Sequence, residues 1–159
     1  MQTITTTVQG QIASLLRDMA QDARAISTQT DMLRNELHNP SHIGADQCAA
    51  SVAHVAGTLA PSMQTRCDEL IGVLHTMPTM RDAYWRANML HVAAGDIEAA
   101  CDVLAIVVRS EKRPGHLPND YIEFCQEGLS AKVDAFMREH AATRKAIATG
   151  AKVESEVQQ

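Results

Sequence analysis

The chain has 159 residues, a formal net charge of −5 at pH 7 and only 3% aromatic residues. This length suits one domain with a real hydrophobic core, and apolar content from Ala, Val, Leu, Ile and Met favours helices over strands. No stretch approaches the roughly 20 apolar residues that span a bilayer, and the polar N-terminus lacks the cationic start of a secretion signal. We therefore expect an all-α, cytoplasmic protein without membrane contact.

The first predicted element is a long N-terminal helix that reaches residue 38 and stops before Pro40. Apolar residues along it recur at alternating steps of four and three, the spacing of a coiled-coil seam, until Asp22 interrupts them. This interruption favours packing within a bundle over a long two-stranded coil. We also expect the stripe to form the contact between copies of a homo-oligomer, through Val8, Ile12, Leu15, Met19 and Ile26.

A second helical stretch starts near Ala45 and ends at Met77 and Pro78. Pro61 stands in its middle, and a proline costs about 3 kcal/mol inside a helix but is well tolerated in the first turn. Either the helix kinks before Pro61 or a new helix begins there, and the sequence leaves both alternatives open.

The next two predicted helices cover about residues 79–94 and 97–110, with Gly95 closing the first and Asp96 capping the second. So short a break predicts an antiparallel helical hairpin. A loop over residues 112–119 follows, and Asp120 and Glu123 form a capping box for the last helix. We expect this helix to fray past Ala148. The prediction is a bundle of four to five helices in one domain, residues 1–149, followed by a disordered tail over residues 150–159.

Signatures of catalysis are absent from the sequence. It contains no Cys-x-x-Cys or Glu-x-x-His pair, no nucleotide-binding glycine loop and no nucleophile elbow. His38 and His42 have a helical spacing, but Asn39 and Pro40 between them would break the helix that aligns the rings. The four cysteines lie among apolar residues and are interpreted as reduced core residues. We therefore predict no catalytic residue, no metal ligand and no cofactor.

The basic residues are concentrated late in the chain. Residues 1–108 contain six basic and eleven acidic residues, whereas residues 109–152 contain eight basic and six acidic ones. Such a patch could neutralise DNA phosphates, although interleaved acids such as Asp134 and Glu139 also fit an ordinary solvated face. The candidate nucleic-acid-binding residues are Arg109, Lys112, Arg113, His116, Arg138, Arg144 and Lys145.

One family resemblance covers about residues 59–136. The ordered signatures Gly72-Val73-Leu74, Arg81-Asp82, Ala94-Gly95-Asp96 and Leu117-Pro118 resemble those of the small terminase subunits of tailed bacteriophages. This resemblance implies a non-catalytic, oligomeric helical adaptor that binds double-stranded viral DNA and recruits a large subunit with ATPase and nuclease activity, in the cytoplasm of a bacterial host.

A second hypothesis needs no DNA. Long, capped amphipathic helices also suit a protein interaction module, such as a regulator or inhibitor that binds a host protein.

Overall fold

The computed structural model describes residues 2–109 and 119–157, and the side chains of residues 7–109 and 120–153. Within these ranges the chain forms four long helices and one short 3-10 turn, Pro78–Met80, and no strand. The helices are α1 (Gln2–His38), α2 (Ala45–His75), α3 (Arg81–Arg109) and α4 (Asn119–Val157). The predicted all-α class and the long N-terminal helix are confirmed.

The four helices form an up-down-up-down bundle in which sequential neighbours are antiparallel. Helix α2 packs on both α1 and α3, and α4 packs on both α3 and α1. The direction follows from the contacts: Cys101 of α3 donates a hydrogen bond to the carbonyl of Ala53 near the start of α2, whereas Tyr84 lies beside His75 at the end of α2. Short connections between antiparallel helices are typical of such bundles.

The core is the set of inward stripes that the helical periodicity places on each helix. Its largest fully buried side chains come from all four helices, and the list includes Met19, Ile26, Met63, Leu70, Leu90, Leu104, Ile122 and Phe136. Burial of these apolar surfaces provides the main stabilisation of the bundle.

The connection between α1 and α2 is organised by one carboxylate. Glu36 accepts hydrogen bonds from the backbone N–H groups of Ser41 (2.8 Å) and Gly44 (3.0 Å), and the hydrogen bonds from Ser41 do most to hold the pKa of Glu36 below its usual value. Gly44 has φ of 85°, a left-handed conformation that glycine adopts without steric cost. This turn lets α2 start antiparallel to α1.

Helix α2 passes through Pro61 without ending, which decides between the two alternatives left open by the sequence. Buried Ala60, Met63 and Cys67 flank the proline on the core side. Their burial offsets the missing hydrogen bond of the proline, so tertiary packing outweighs the local helix-breaking tendency.

Helix α3 likewise passes through Gly95 and Asp96, where the sequence predicted a turn. The antiparallel turn lies instead between α2 and α3, at residues 76–80. Ala94 and Ile97 on either side of the glycine are fully buried, and this burial exceeds the cost of about 1 kcal/mol for a glycine inside a helix. Gly95 itself lies against the side chain of Gln64, and Asp96 pairs with Lys132 of α4.

Helix α4 continues to Val157, so residues 150–157 are helical where the sequence predicted a disordered tail. The physical reason is packing beyond Ala148. Ile147 and Ala151 pack against the core, and Gly150 is buried against the turn Pro78–Met80. These contacts hold the last turns of α4, which local propensity alone would leave frayed.

Two glycines of α4 allow a matched test of this packing. A Cβ at Gly128 would meet nothing within 4 Å, whereas a Cβ at Gly150 would lie 2.5 Å from Met80 Sδ and 3.1 Å from the carbonyl oxygen of Thr79. We expect Gly128→Ala to raise the free energy of unfolding by about 0.5–1 kcal/mol through helix propensity. We expect Gly150→Ala to lower it by about 1 kcal/mol, because overpacking outweighs the same gain. Urea denaturation of both variants checks the opposite signs, and a gain at Gly150 would show that the turn is loosely packed.

Candidate interaction surfaces

The predicted oligomerisation stripe lies inside the chain's own bundle. Ile12, Leu15, Met19 and Ile26 are buried, and Val8 is half-buried against the core. Side chains that already pack on α2 and α4 are not accessible to a second copy. The prediction that this stripe forms the contact between copies is therefore wrong. The error has a simple cause, because an apolar stripe with this spacing looks the same whether it packs within one chain or between two.

Asp22, which interrupts that stripe, has a specific partner. Its carboxylate forms an ion pair with Arg66 of α2, and the two side chains are only 15% and 28% exposed. Burial raises the pKa of Asp22 even though the guanidinium of Arg66 opposes this shift. The acidic residue therefore sits at the edge of the core without breaking the α1 and α2 contact.

An apolar stripe does face outward, on α3. The stripe combines five large apolar residues with Ala99 and Asp96, and all seven side chains are exposed, Trp85 to 65% and Ile106 to 69%. Its members follow one another at steps of four and three along the whole helix. We call this stripe the outer face of α3, and it consists of Trp85, Met89, Val92, Asp96, Ala99, Val103 and Ile106.

Two further features bear on this face: exposed aromatic residues near one end of it, and an ion pair of its one charged member. Tyr121 and Phe124, in the first turns of α4, are exposed at the same end of the bundle as Ile106. The one charged member, Asp96, is paired with Lys132 at 2.8 Å. The outer face of α3 is therefore largely apolar and exposed, and contiguous surfaces of this kind mark interaction sites on soluble proteins.

Sequence reasoning missed the outer face of α3 because it placed a turn at Gly95. With the helix divided there, Trp85, Met89 and Val92 belong to one helix and Val103 and Ile106 to another, so the common stripe is not visible. The sequence does indicate one continuous stripe, since the steps of four and three continue through residues 92, 96 and 99.

The candidate nucleic-acid-binding residues that the structure describes do not form one patch. Lys112, Arg113 and His116 lie outside the described residues, and Arg109, Arg138, Arg144 and Lys145 are exposed. Arg109 ends α3 at the end of the bundle where α4 begins, whereas Arg144 and Lys145 lie about 25 residues into α4. At a rise of 1.5 Å per residue, roughly 35 Å separates them along the bundle.

Arg144 belongs instead to a cluster that the sequence did not reveal. A groove of about 460 Å³ lies between α1 and α4, beside the turn Pro78–Met80, and three arginines line it: Arg17, Arg24 and Arg144. Arg17 has a loose, exposed ion pair with Asp18 at 3.8 Å. Arg24 and Arg144 form no ion pair with any residue that the structure describes.

A buried histidine lies beneath this groove. The side chain of His140 is hydrogen bonded through Nε2 to the carbonyl oxygen of Leu16, at 2.7 Å, and its ring stacks near Phe136. Burial lowers the pKa of His140, the bond to Leu16 opposes this effect, and the charges of Arg144 and Arg24 lower the pKa further. The charges of both guanidinium groups therefore reach His140.

This histidine predicts a pH dependence of stability. Because the pKa of His140 is lower in the folded chain than in the unfolded chain, the unfolded chain binds the proton more tightly below about pH 6.5. We expect the free energy of unfolding to fall as the pH decreases through this region. Chemical denaturation at several pH values measures the slope of the free energy of unfolding against pH. This slope should be smaller in His140→Gln than in the natural chain. Equal slopes would mean that other groups cause the dependence.

The cysteines and histidines do not form a metal centre within the described ranges. No group of three or more His, Cys, Asp or Glu side chains there is placed to hold a metal ion. The four cysteines are free thiols, with Cys67, Cys101 and Cys125 buried and Cys48 partly exposed. Burial raises the pKa of Cys67 to about 12. These thiols are packing residues of the core, as the sequence predicted.

Comparisons with protein-family models, curated proteins and solved structures found no match to this chain. The resemblance to small terminase subunits therefore stays a prediction. Among the described helices, none combines the length and apolar character needed to cross a bilayer.

Proposed function

We propose that this protein is a non-catalytic helical adaptor that associates with a second copy of itself through the outer face of α3. The observation that carries the proposal is the exposed apolar stripe from Trp85 to Ile106, which has the step pattern of a helix-pairing seam.

The chemistry of the face suits association between two copies. An exposed tryptophan is the side chain most enriched at the energetic centres of interfaces, and Trp85 stands at one end of the stripe. Asp96 already has its partner in Lys132, so pairing of two copies would not bury an uncompensated charge. A two-fold dimer brings the same patch of both copies together, and an apolar stripe with helix-pairing steps can pack against its own copy.

Trp85 is the only tryptophan of the chain and reports directly on this face. The test is light scattering on the purified full chain over a range of concentrations, combined with tryptophan emission. We expect a dimer or larger oligomer whose Trp85 emission moves to shorter wavelength as the concentration rises. Val103→Glu should give a monomer, because it places an unpaired carboxylate in the seam.

A matched control is available on α1. Met32 is 53% exposed and Val103 51%, so glutamate at either position should be tolerated by the fold. Met32→Glu should leave the oligomer intact. A natural chain that stays monomeric at all concentrations, with constant Trp85 emission, would reject self-association through this face.

A second candidate function is the DNA-packaging adaptor. It is supported by the ordered signatures between Gly72 and Pro118 and by the exposure of Arg109, Arg138, Arg144 and Lys145. This function predicts salt-dependent binding of duplex DNA and of a large terminase-like subunit. Charge reversal at Arg109, Lys112 and Arg113 should weaken the DNA complex and reduce its salt dependence. Unchanged binding would remove these residues as the DNA site, and binding of a host protein without DNA would favour the interaction-module hypothesis.

A further inference from the structure

The groove between α1 and α4 has the size and lining of a small-molecule site. Its volume of about 460 Å³ lies within the range of roughly 300–1,000 Å³ that is usual for ligand pockets. Large apolar side chains, including Ile12, Leu16 and Ile147, line it, and so does Met80 of the turn.

Small residues contribute a large part of the lining of this groove. Ala13 and Ala20 of α1 and Ala148 and Ala151 of α4 are among its lining residues. Alanines also occupy buried contacts elsewhere in the bundle, such as Ala56 of α2 and Ala87 of α3, but there the helices close over them. At the groove the small side chains leave open space between α1 and α4, and most of its lining is apolar.

The charged side chains among the described lining residues of the groove are all basic. Arg17, Arg24 and Arg144 line it, and none of the described lining residues is acidic, although the chain as a whole carries a net charge of −5. Arg24 and Arg144 line the same groove, and the charges of both lower the pKa of the buried His140. An occupant complementary to this groove has an apolar body and one anionic group.

We propose that the groove binds a free anionic amphiphile, a single acyl chain with a carboxylate head. The acyl chain lies along the alanine-lined floor towards Met80, and the carboxylate accepts hydrogen bonds from Arg24 and Arg144. Guanidinium groups suit this role because they can bind a carboxylate through two parallel hydrogen bonds.

The shape of the groove favours this ligand over a nucleic acid or a membrane surface. A DNA duplex would contact the exposed arginines and leave the apolar floor uncovered. A bilayer surface cannot enter a concave groove between two helices without extracting a lipid. A monomeric amphiphile contacts both the apolar floor and the guanidinium groups.

The test is titration calorimetry of the full chain with dodecanoate below its micelle concentration. We expect one site per chain. Shorter carboxylates should bind more weakly, by roughly fourfold for each methylene removed, since each buried methylene contributes about 0.8 kcal/mol. Dodecyltrimethylammonium has the same tail and the opposite charge, and it should bind far more weakly. Equal binding of the cationic and anionic amphiphiles would overturn the proposal.

Variants separate the head site from the tail site. Arg24→Gln combined with Arg144→Gln should weaken dodecanoate binding roughly tenfold or more, because two charge-assisted hydrogen bonds are lost. Arg138→Gln, on α4 outside the groove, should leave it unchanged. Ala148→Leu fills the floor and should also weaken binding, whereas the exposed Ala131→Leu serves as its control.

A spectroscopic signal tests the position of the carboxylate independently. An anion between Arg24 and Arg144 offsets their charge, so the pKa of His140 should rise when dodecanoate is added, as followed by NMR. An unchanged His140 would place the ligand elsewhere and reject the site. If the arginine variants lose duplex DNA but keep dodecanoate, or if binding requires anionic vesicles and not the monomer, the arginines serve a nucleic acid or a membrane and the proposal fails.

Discussion

Replacement of Phe136 by alanine is expected to lower the free energy of unfolding by about 3–5 kcal/mol. Phe136 lies in the middle of α4 and is fully buried, with its ring stacked near that of His140. Truncation removes the transfer free energy of the ring and leaves a cavity that the surrounding helices can fill only in part. Urea denaturation followed by circular dichroism measures the change.

The second phenylalanine of the chain is the matched control. Phe124 lies on the same helix but is 75% exposed, so Phe124→Ala should change the free energy of unfolding by no more than about 0.5 kcal/mol. The comparison is made at a concentration where the chain is monomeric, because Phe124 is exposed at the same end of the bundle as Ile106. Similar losses for both variants would contradict the arrangement in which α4 turns the Phe136 face inward.

The helices of the bundle were predictable where the apolar periodicity and the helix-breaking residues indicate the same boundary. Asn39 and Pro40 end α1, and Met77 and Pro78 end α2, because a proline excludes the preceding residue from the helical region and no long-range contact opposes it. The inward stripes of α1 and α4 follow directly from the spacing of their apolar residues.

Local signals failed where tertiary packing overrides them. Gly95 and Asp96 are residue types that favour a turn. The residues around them are buried against α2 and α4, and this burial stabilises a continuous helix instead. The same reason extends α4 past Ala148. A single sequence contains no measure of what packs against a segment, so these outcomes were not accessible from it.

The surfaces were harder to predict than the fold. A stripe on α1 and a stripe on α3 have the same spacing, and only the arrangement of the helices decides that Met19 is buried and Trp85 is exposed. The arginine groove joins positions 17, 24 and 144, which are far apart in sequence and are brought together by the antiparallel contact of α1 and α4. Alanines also line this groove, and an alanine in a sequence gives no indication of a binding site.

The ion pair between Asp22 and Arg66 leads to the second large expected effect. Arg66→Met is expected to lower the free energy of unfolding by about 2 kcal/mol at pH 7, because it leaves a largely buried carboxylate without its partner. Arg34→Met is the matched control. Arg34 pairs with Asp31 in an exposed contact at 3.5 Å, and the loss there should stay within about 0.5 kcal/mol.

Two further measurements distinguish a lost ion pair from a lost packing contact. The double variant Asp22→Leu with Arg66→Met should recover the stability of the natural chain or exceed it, since an apolar pair removes both desolvation costs. A double variant as unstable as Arg66→Met would show that the arginine stem, and not its charge, matters.

The effect of Arg66→Met on the free energy of unfolding should also depend on pH, and the direction of this dependence is an independent test. Burial raises the pKa of Asp22, and removing Arg66 takes away the charge that opposes this shift, so the pKa should rise further. An acid whose folded pKa is raised binds its proton more tightly in the folded chain, and the associated stability is lost as the pH rises through that value. The destabilisation by Arg66→Met, taken as a difference from the natural chain, should therefore shrink as the pH falls from 7 towards 4. A difference that stays constant over this range would mean that Asp22 remains ionised and solvated without Arg66, and that α1 and α2 do not enclose it.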